Sequence, residues 1–154
     1  MDIFFARRHT YIVNLPFEDV SENIQSITTR KWSDFSENIT ARFTHHANYV
    51  FTHKWSVAYI RGIEGMPACL KVKFIKENER TKIETSLRPN STFVIFFYLI
   101  AIFFLLELIG INTFIKGSKV FNLVFFGGFD LILFGFMQLF TNGLRNRFEK
   151  ILQL

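Results

Sequence analysis

The chain has 154 residues, 49% of them apolar and 21 of them phenylalanine, and its 18 lysines and arginines against 13 aspartates and glutamates leave a net charge of +5. The single cysteine, Cys69, excludes an internal disulfide and fits a reducing compartment. The basic excess needs no nucleic-acid partner to account for it. No GxSxG, HExxH, P-loop or GxGxxG pattern is present, so neither catalysis nor a cofactor is expected.

The start, Asp2-Ile3-Phe4-Phe5-Ala6-Arg7-Arg8, lacks a basic segment followed by an apolar one, so no cleavable signal peptide is expected. His9–Leu15 alternates, with Tyr11, Val13 and Leu15 on one face, and reads as a strand that Pro16 ends. Phe17–Lys31 reads as an amphipathic helix with Phe17, Val20, Ile24 and Ile27 on one stripe. Its acids come first (Glu18, Asp19, Glu22) and its bases last (Arg30, Lys31), the order that the helix dipole favours. Trp32–Asn38 is a polar loop with Trp32 and Phe35 as aromatic anchors.

Four strands are expected next: Ile39–His46, Tyr49–Arg61, Ala68–Lys76 and Thr81–Leu87. The last two form an antiparallel hairpin, with charges of both signs on its wet face. Strand, helix and four strands make an α+β domain with one antiparallel sheet over residues 1–90. Pro89 stops the last strand, and Asn90 or Ser91 is placed to cap a helix directly after it.

Two apolar runs follow, Thr92–Ile115 and Val120–Phe140, each with one charge, Glu107 and Asp130. Each exceeds the roughly 18–20 residues that carry a helix across a hydrocarbon core about 30 Å thick. The link Lys116-Gly117-Ser118-Lys119 is long enough only for a tight turn. Residues 91–141 therefore read as a two-helix transmembrane hairpin. Lys76, Arg80, Lys82 and Arg88 precede it and Arg145, Arg147 and Lys150 follow it, against Lys116 and Lys119 in the link. By the positive-inside bias both termini are cytoplasmic. Asn142-Gly143 is a candidate helix stop, which leaves residues 142–154 as a short amphipathic helix. Its stripe, Leu144, Phe148, Ile151 and Leu152, suits either the membrane surface or the sheet. The sheet is favoured, because one helix covers five strands poorly.

Glu107 and Asp130 are the most informative polar residues, since an ionised carboxylate inside a bilayer costs about 2.5–3.5 kcal/mol or more. Counted from the link they lie at similar depths, so the two carboxyls are expected to meet with at least one protonated. Gly127 and Gln138 lie near Asp130 on one stripe, Gly128 and Gly135 offer a flat surface for helix contact, and Gly110 sits one turn beyond Glu107. Helix–helix packing is the plainer role of this set, and a proton or ion path the sharper one.

In the first domain, Trp55, Tyr59, Phe43 and Phe51 are candidates to line a ligand pocket between sheet and helix, although aromatics at period two are more often core. Arg42, Arg61, Lys71 and Lys73 are candidates to receive an anion or a lipid headgroup, against the plainer reading of a solvated basic face. His45 and His46 are adjacent on a strand and point to opposite faces, so only one can join His53, and no metal site is expected.

The run Phe51 to Arg88, with Arg61, Pro67, Thr81, Ile83 and the exit Leu87-Arg88-Pro89 into an apolar hairpin, resembles a type of small, uncharacterised bacterial membrane protein. Those proteins combine a compact β-rich domain, a helical hairpin and a short C-terminal helix. The resemblance implies that architecture and a bacterial source, and no activity; with both termini cytoplasmic, the bacterial inner membrane is the expected location. Three functions are therefore open. The first is a non-enzymatic module whose sheet domain binds a ligand, lipid or protein and signals to an oligomerising hairpin. The second is an oligomeric pore or proton-conducting, membrane-disrupting effector using Glu107 and Asp130. The third is a structural subunit of a larger membrane complex. The bilayer and further membrane helices, from a second copy or another protein, are the expected partners.

Overall fold

A computed structural model describes residues 5–29, 38–44, 48–54, 66–77, 80–111 and 118–154. The elements are β1 (Arg7–Val13), α1 (Phe17–Thr29), β2 (Thr40–Phe43), β3 (Asn48–Thr52), β4 (Ala68–Glu77), β5 (Arg80–Pro89), α2 (Ser91–Leu108) and α3 (Lys119–Leu152). The protein is α+β, with one five-stranded sheet in the order β1-β5-β4-β3-β2. Every neighbouring pair is antiparallel. Residues 32–37 of the expected polar loop, His45 and His46, and the stretch 55–65 lie outside the described residues, so β3 is described only to Thr52.

The period-two pattern decides which face of the sheet is buried. In β4, Leu70, Val72 and Phe74 are buried while Lys71 and Lys73 are exposed. In β5, Ile83 and Leu87 lie in the core with Thr81 and Thr85. Both threonines are satisfied: the Thr81 hydroxyl donates to the Leu15 carbonyl at 2.9 Å and that of Thr85 to the His9 carbonyl at 3.0 Å. The helical stripe of α1, Val20, Ile24 and Ile27, covers part of this face.

The rest is covered by the end of α3, and here the structure departs from the sequence reading. Asn142-Gly143 does not stop a helix: α3 runs unbroken for 34 residues, about 51 Å at 1.5 Å per residue. A glycine inside a helix costs about 1 kcal/mol. Leu144, Phe148 and Leu152, all buried in the sheet's core, each contribute about 1.5–3 kcal/mol on burial and outweigh it. The ring of Phe148 meets that of Phe51 edge-on at 5.1 Å. The amphipathic tail is thus the second cover of the sheet and is continuous with the second apolar segment.

The first apolar segment is shorter than expected. α2 ends at Leu108, seven residues before Ile115. The Gly110 N–H donates to the Glu107 carbonyl and the Ile111 N–H to the Leu106 carbonyl, with Gly110 at φ +88°. This is a Schellman stop, and a left-handed φ is a position that glycine fills without a Cβ penalty. Gly110 is accordingly a helix terminator with nothing within 4 Å of its Cβ position, and its expected packing role is withdrawn.

Between β5 and α2 stands a single residue. Asn90, 2% exposed, accepts from the Thr92 N–H at 2.8 Å as N-cap, while its amide donates to the Met66 carbonyl at 2.9 Å. α2 is therefore fastened to the sheet at its first turn.

Phe148→Ala is expected to destabilise the full-length chain by about 3–5 kcal/mol. Leu139→Ala, at a 67% exposed position of the same helix, should change stability by less than about 0.5 kcal/mol. Denaturant unfolding in detergent, followed by tryptophan fluorescence, checks both.

Candidate functional site

α2 and α3 pack antiparallel. Phe97 meets Phe134 at 6.4 Å between ring centroids, Phe103 meets Phe126 at 5.8 Å, and Glu107 reaches Asn122. The Asn122 amide donates to Glu107 Oε1 at 3.0 Å, and both residues are buried. Close by, the Lys119 ammonium donates to the Leu108 carbonyl at 3.3 Å, placing a cation at the negative end of α2. Ser118 caps α3 by accepting from the Phe121 N–H at 3.2 Å.

This register separates the two carboxyls. Asp130 lies midway between Phe126 and Phe134, level with the stretch between Phe97 and Phe103, whereas Glu107 is level with Asn122. Eight residues along α3 amount to about 12 Å. The expected carboxyl pair does not form, because the early end of α2 leaves Glu107 in its last turn, beside the interhelical connection. Asp130 is half-buried on the α2-facing side, in helical phase with the buried Phe126 and Met137.

The glycines divide between two faces. A Cβ on Gly127 would come within 3.2 Å of the Phe104 ring, so this glycine is what lets α2 approach. Gly128 and Gly135 have nothing within 4 Å and lie on the outer face. Gln138 belongs to neither set. Its side-chain oxygen accepts from the Arg7 guanidinium, which also donates to Asn142 Oδ1 at 3.1 Å.

That contact opens a polar seam between α3 and the sheet. Two turns further, the Tyr11 hydroxyl donates to Glu149 at 2.7 Å, with Arg145 beside the same carboxylate at 3.4 Å. Burial, reinforced by Glu149, pushes the Tyr11 hydroxyl up to about 12. On the other flank, Arg147 donates to the Asn38 carbonyl at 3.0 Å and to His53 Nδ1 at 3.2 Å. A guanidinium only donates, so Nδ1 accepts and Nε2 carries the proton that is given to the Phe140 carbonyl at 2.9 Å. His53 is thus neutral, and burial holds its pKa below the usual histidine value. No local pattern marks these contacts. Their members are up to 138 residues apart, and only the flanking positions of Arg145, Arg147 and Glu149 beside the apolar stripe hinted that the tail has polar edges to satisfy.

The third region is the open face of the sheet. A shallow depression of about 600 Å³ there is bordered by Arg8, Lys71, Lys73, Ser86, Asn48 and Thr44. Arg42 is level with Val50, Val50 with Lys71, Lys71 with Ser86, and Ser86 with Arg8, so a single row across the sheet carries Arg42, Lys71 and Arg8. Lys71, Lys73 and Arg42 therefore share the face that the sequence suggested, and Arg8 joins them only because β1 pairs with β5.

The aromatic pocket expected between sheet and helix does not form from its described members. Phe51 is fully buried against Phe148, which fills the space, and Phe43 is 57% exposed on the edge strand β2. Trp55, Tyr59 and Arg61 lie outside the described residues. No group of three or more metal-ligating side chains occurs among the described residues.

No protein-family model matches the chain, and neither curated proteins nor solved structures match it.

Two outcomes test these contacts. Gly127→Leu should lower the unfolding midpoint by parting α2 from α3, while Gly128→Leu, which meets nothing within 4 Å in the chain, should leave that helix pair intact. Because the folded pKa of His53 lies below the unfolded value of about 6.5, its contribution is complete above that pH and is lost as pH falls through it. The denaturation midpoint should therefore drop between pH 7.5 and pH 5.5, by a smaller amount in His53→Gln.

Proposed function

We propose that the protein is a non-enzymatic integral membrane protein. In this reading α2 and α3 cross the bilayer as a hairpin, and the sheet domain on the cytoplasmic side binds a ligand, lipid or protein and transmits that event to the hairpin. The observation that carries the reading is the double character of α3. Val120, Val124, Leu131, Ile132 and Leu139 are 60–73% exposed, while Leu144, Phe148 and Leu152 are buried in the domain core. From Val120 to Leu139 the exposed apolar segment measures about 29 Å, the thickness of a hydrocarbon core. α2, with 18 residues and a mean hydropathy of 2.4, reaches about 27 Å beside it.

Coupling follows from the two joints. Asn90 fixes the start of α2 to the sheet, and α3 passes into the core without a break. A shift of the sheet against α3 has no flexible linker in which to dissipate. The outer face with Gly128 and Gly135 is open to helices of a second copy, which makes a homo-oligomer the natural assembly. The pore reading loses its physical basis of a carboxyl pair, because Glu107 is engaged by Asn122 about two turns from Asp130. Placement in a bacterial inner membrane rests on the family resemblance, and the orientation on the charge bias.

Membranes from cells expressing the full chain supply the test. The protein should stay in the pellet after alkaline carbonate washing and be released by detergent, and a reporter fused after Leu154 should be active only in its cytoplasmic form. Release by carbonate alone overturns the membrane assignment. A reporter active only outside the cytoplasm overturns the orientation.

A further inference from the structure

The open face of the sheet carries more cations than carboxylates among the described residues. Two lysines of the β4–β5 hairpin are paired: Lys76 with Glu18 at 2.6 Å on the covered face, and Lys82 with Glu84 at 3.0 Å on the open one. Arg8, Arg42, Lys71 and Lys73 are all exposed and make no ion pair or hydrogen bond among the described residues. Lys71 and Lys73 are two apart on β4 and so project from the same face about 7 Å apart. Arg8 and Lys71 flank Ser86 on the strands either side of β5, about 10 Å apart. Like charges brought together on one face of a sheet repel. Glu84, level with Lys73, is the one carboxylate bordering the depression among the described residues; Lys82 pairs with it at 3.0 Å and Lys73 attracts it from across the strand pair, so one carboxylate serves several cations.

We infer that this depression is a binding site for a small ligand carrying two or more phosphate groups, held by Arg8, Lys71 and Lys73 with Ser86 and Asn48 as neutral donors. Its volume of about 600 Å³ suits a ligand of that size. The aromatic rings of β3 belong to the opposite face, where Tyr49 packs on Phe74 at 5.6 Å and Phe51 on Phe148. Among the described residues no ring on the open face is offered for a base to stack on, and what they present to a ligand is charge. This names the ligand class of the sheet domain in the function proposed above and rests on that reading. The same chemistry is presented by a soluble phosphate ester and by a phosphorylated lipid headgroup.

The test is calorimetric titration of inorganic pyrophosphate into the full-length protein in phosphatidylcholine nanodiscs. Saturable binding is expected, weakening as salt rises from 50 to 150 mM (roughly the range over which the Debye length shortens). Lys71→Glu/Lys73→Glu should weaken it at least about tenfold. The milder Lys71→Gln/Lys73→Gln should weaken it by a smaller factor, and Lys76→Gln, on the same strand but outside the depression, should leave it unchanged. Circular dichroism confirms that each variant is folded, and the milder pair decides if the charge-reversed one is not. Adding a phosphoinositide to the nanodiscs separates the sources: competition with pyrophosphate assigns the site to a lipid headgroup, and unchanged affinity assigns it to a soluble ester. Absence of saturable binding, or equal binding by wild type and the lysine variants, overturns the inference. Either result in protein that resists carbonate extraction leaves the membrane reading standing, whereas extraction by carbonate overturns that reading whatever pyrophosphate does.

Discussion

Leu144, Phe148 and Leu152 recur every four residues at the end of a helix whose earlier turns are apolar and exposed, and on their burial the architecture depends. An α-helix transmits its direction rigidly, because each residue is tied to the turn before it. Once these three side chains are fixed in the sheet's core, the axis of the whole of α3 is fixed with them. α2 is then placed by its contact with α3 and by the Asn90 cap. The sheet, which α1 covers only in part, receives the rest of its cover from the same residues.

The polar contacts around that seal orient it. Arg7, Tyr11 and His53 reach α3 from both flanks, and Arg147 of α3 reaches back to Asn38 and His53. Net hydrogen bonds of this kind contribute only about 0.5–1.5 kcal/mol each. Leaving one unmade costs more than forming it gains, so they discriminate against rotation or sliding of α3 along the sheet. Apolar burial supplies the attraction, and the polar seam supplies the register. The same division holds between α2 and α3, where aromatic rings and Gly127 make the contact and Glu107 with Asn122 marks its end.

If the hairpin crosses a membrane as proposed, this arrangement has a mechanical consequence. Two helices leave the sheet, one through a single capped residue and one with no interruption. Neither junction contains a stretch of the glycine- or serine-rich composition that uncouples domains. A ligand held as proposed on the open face would touch β1, β3, β4 and β5, and β1 is the strand that holds α3 through Arg7 and Tyr11. The depression and the helix joint thus share one strand, with Arg8 on one of its faces and Arg7 and Tyr11 on the other.

The amino-acid sequence alone determined the kind of each element and its apolar face. Alternation in Leu70–Phe74 and Ile83–Leu87, the stripe of Val20, Ile24 and Ile27, and the two apolar runs are all local patterns, and a local pattern needs no partner to be read. Helix ends were less legible. Gly143, a common terminator, sits inside a helix because tertiary burial outweighs its propensity, whereas Gly110 ends one through a Schellman turn. Only the tertiary structure decided which residues meet. The pairing of β1 with β5 sets Arg8 beside Lys71, the early stop of α2 parts Glu107 from Asp130, and the continuity of α3 brings Arg147 to His53. These groups lie far apart in the chain, and their meeting depends on the register of the sheet and the exact length of the helices. A difference of one turn or one strand position changes every such contact while leaving the local pattern of the sequence untouched.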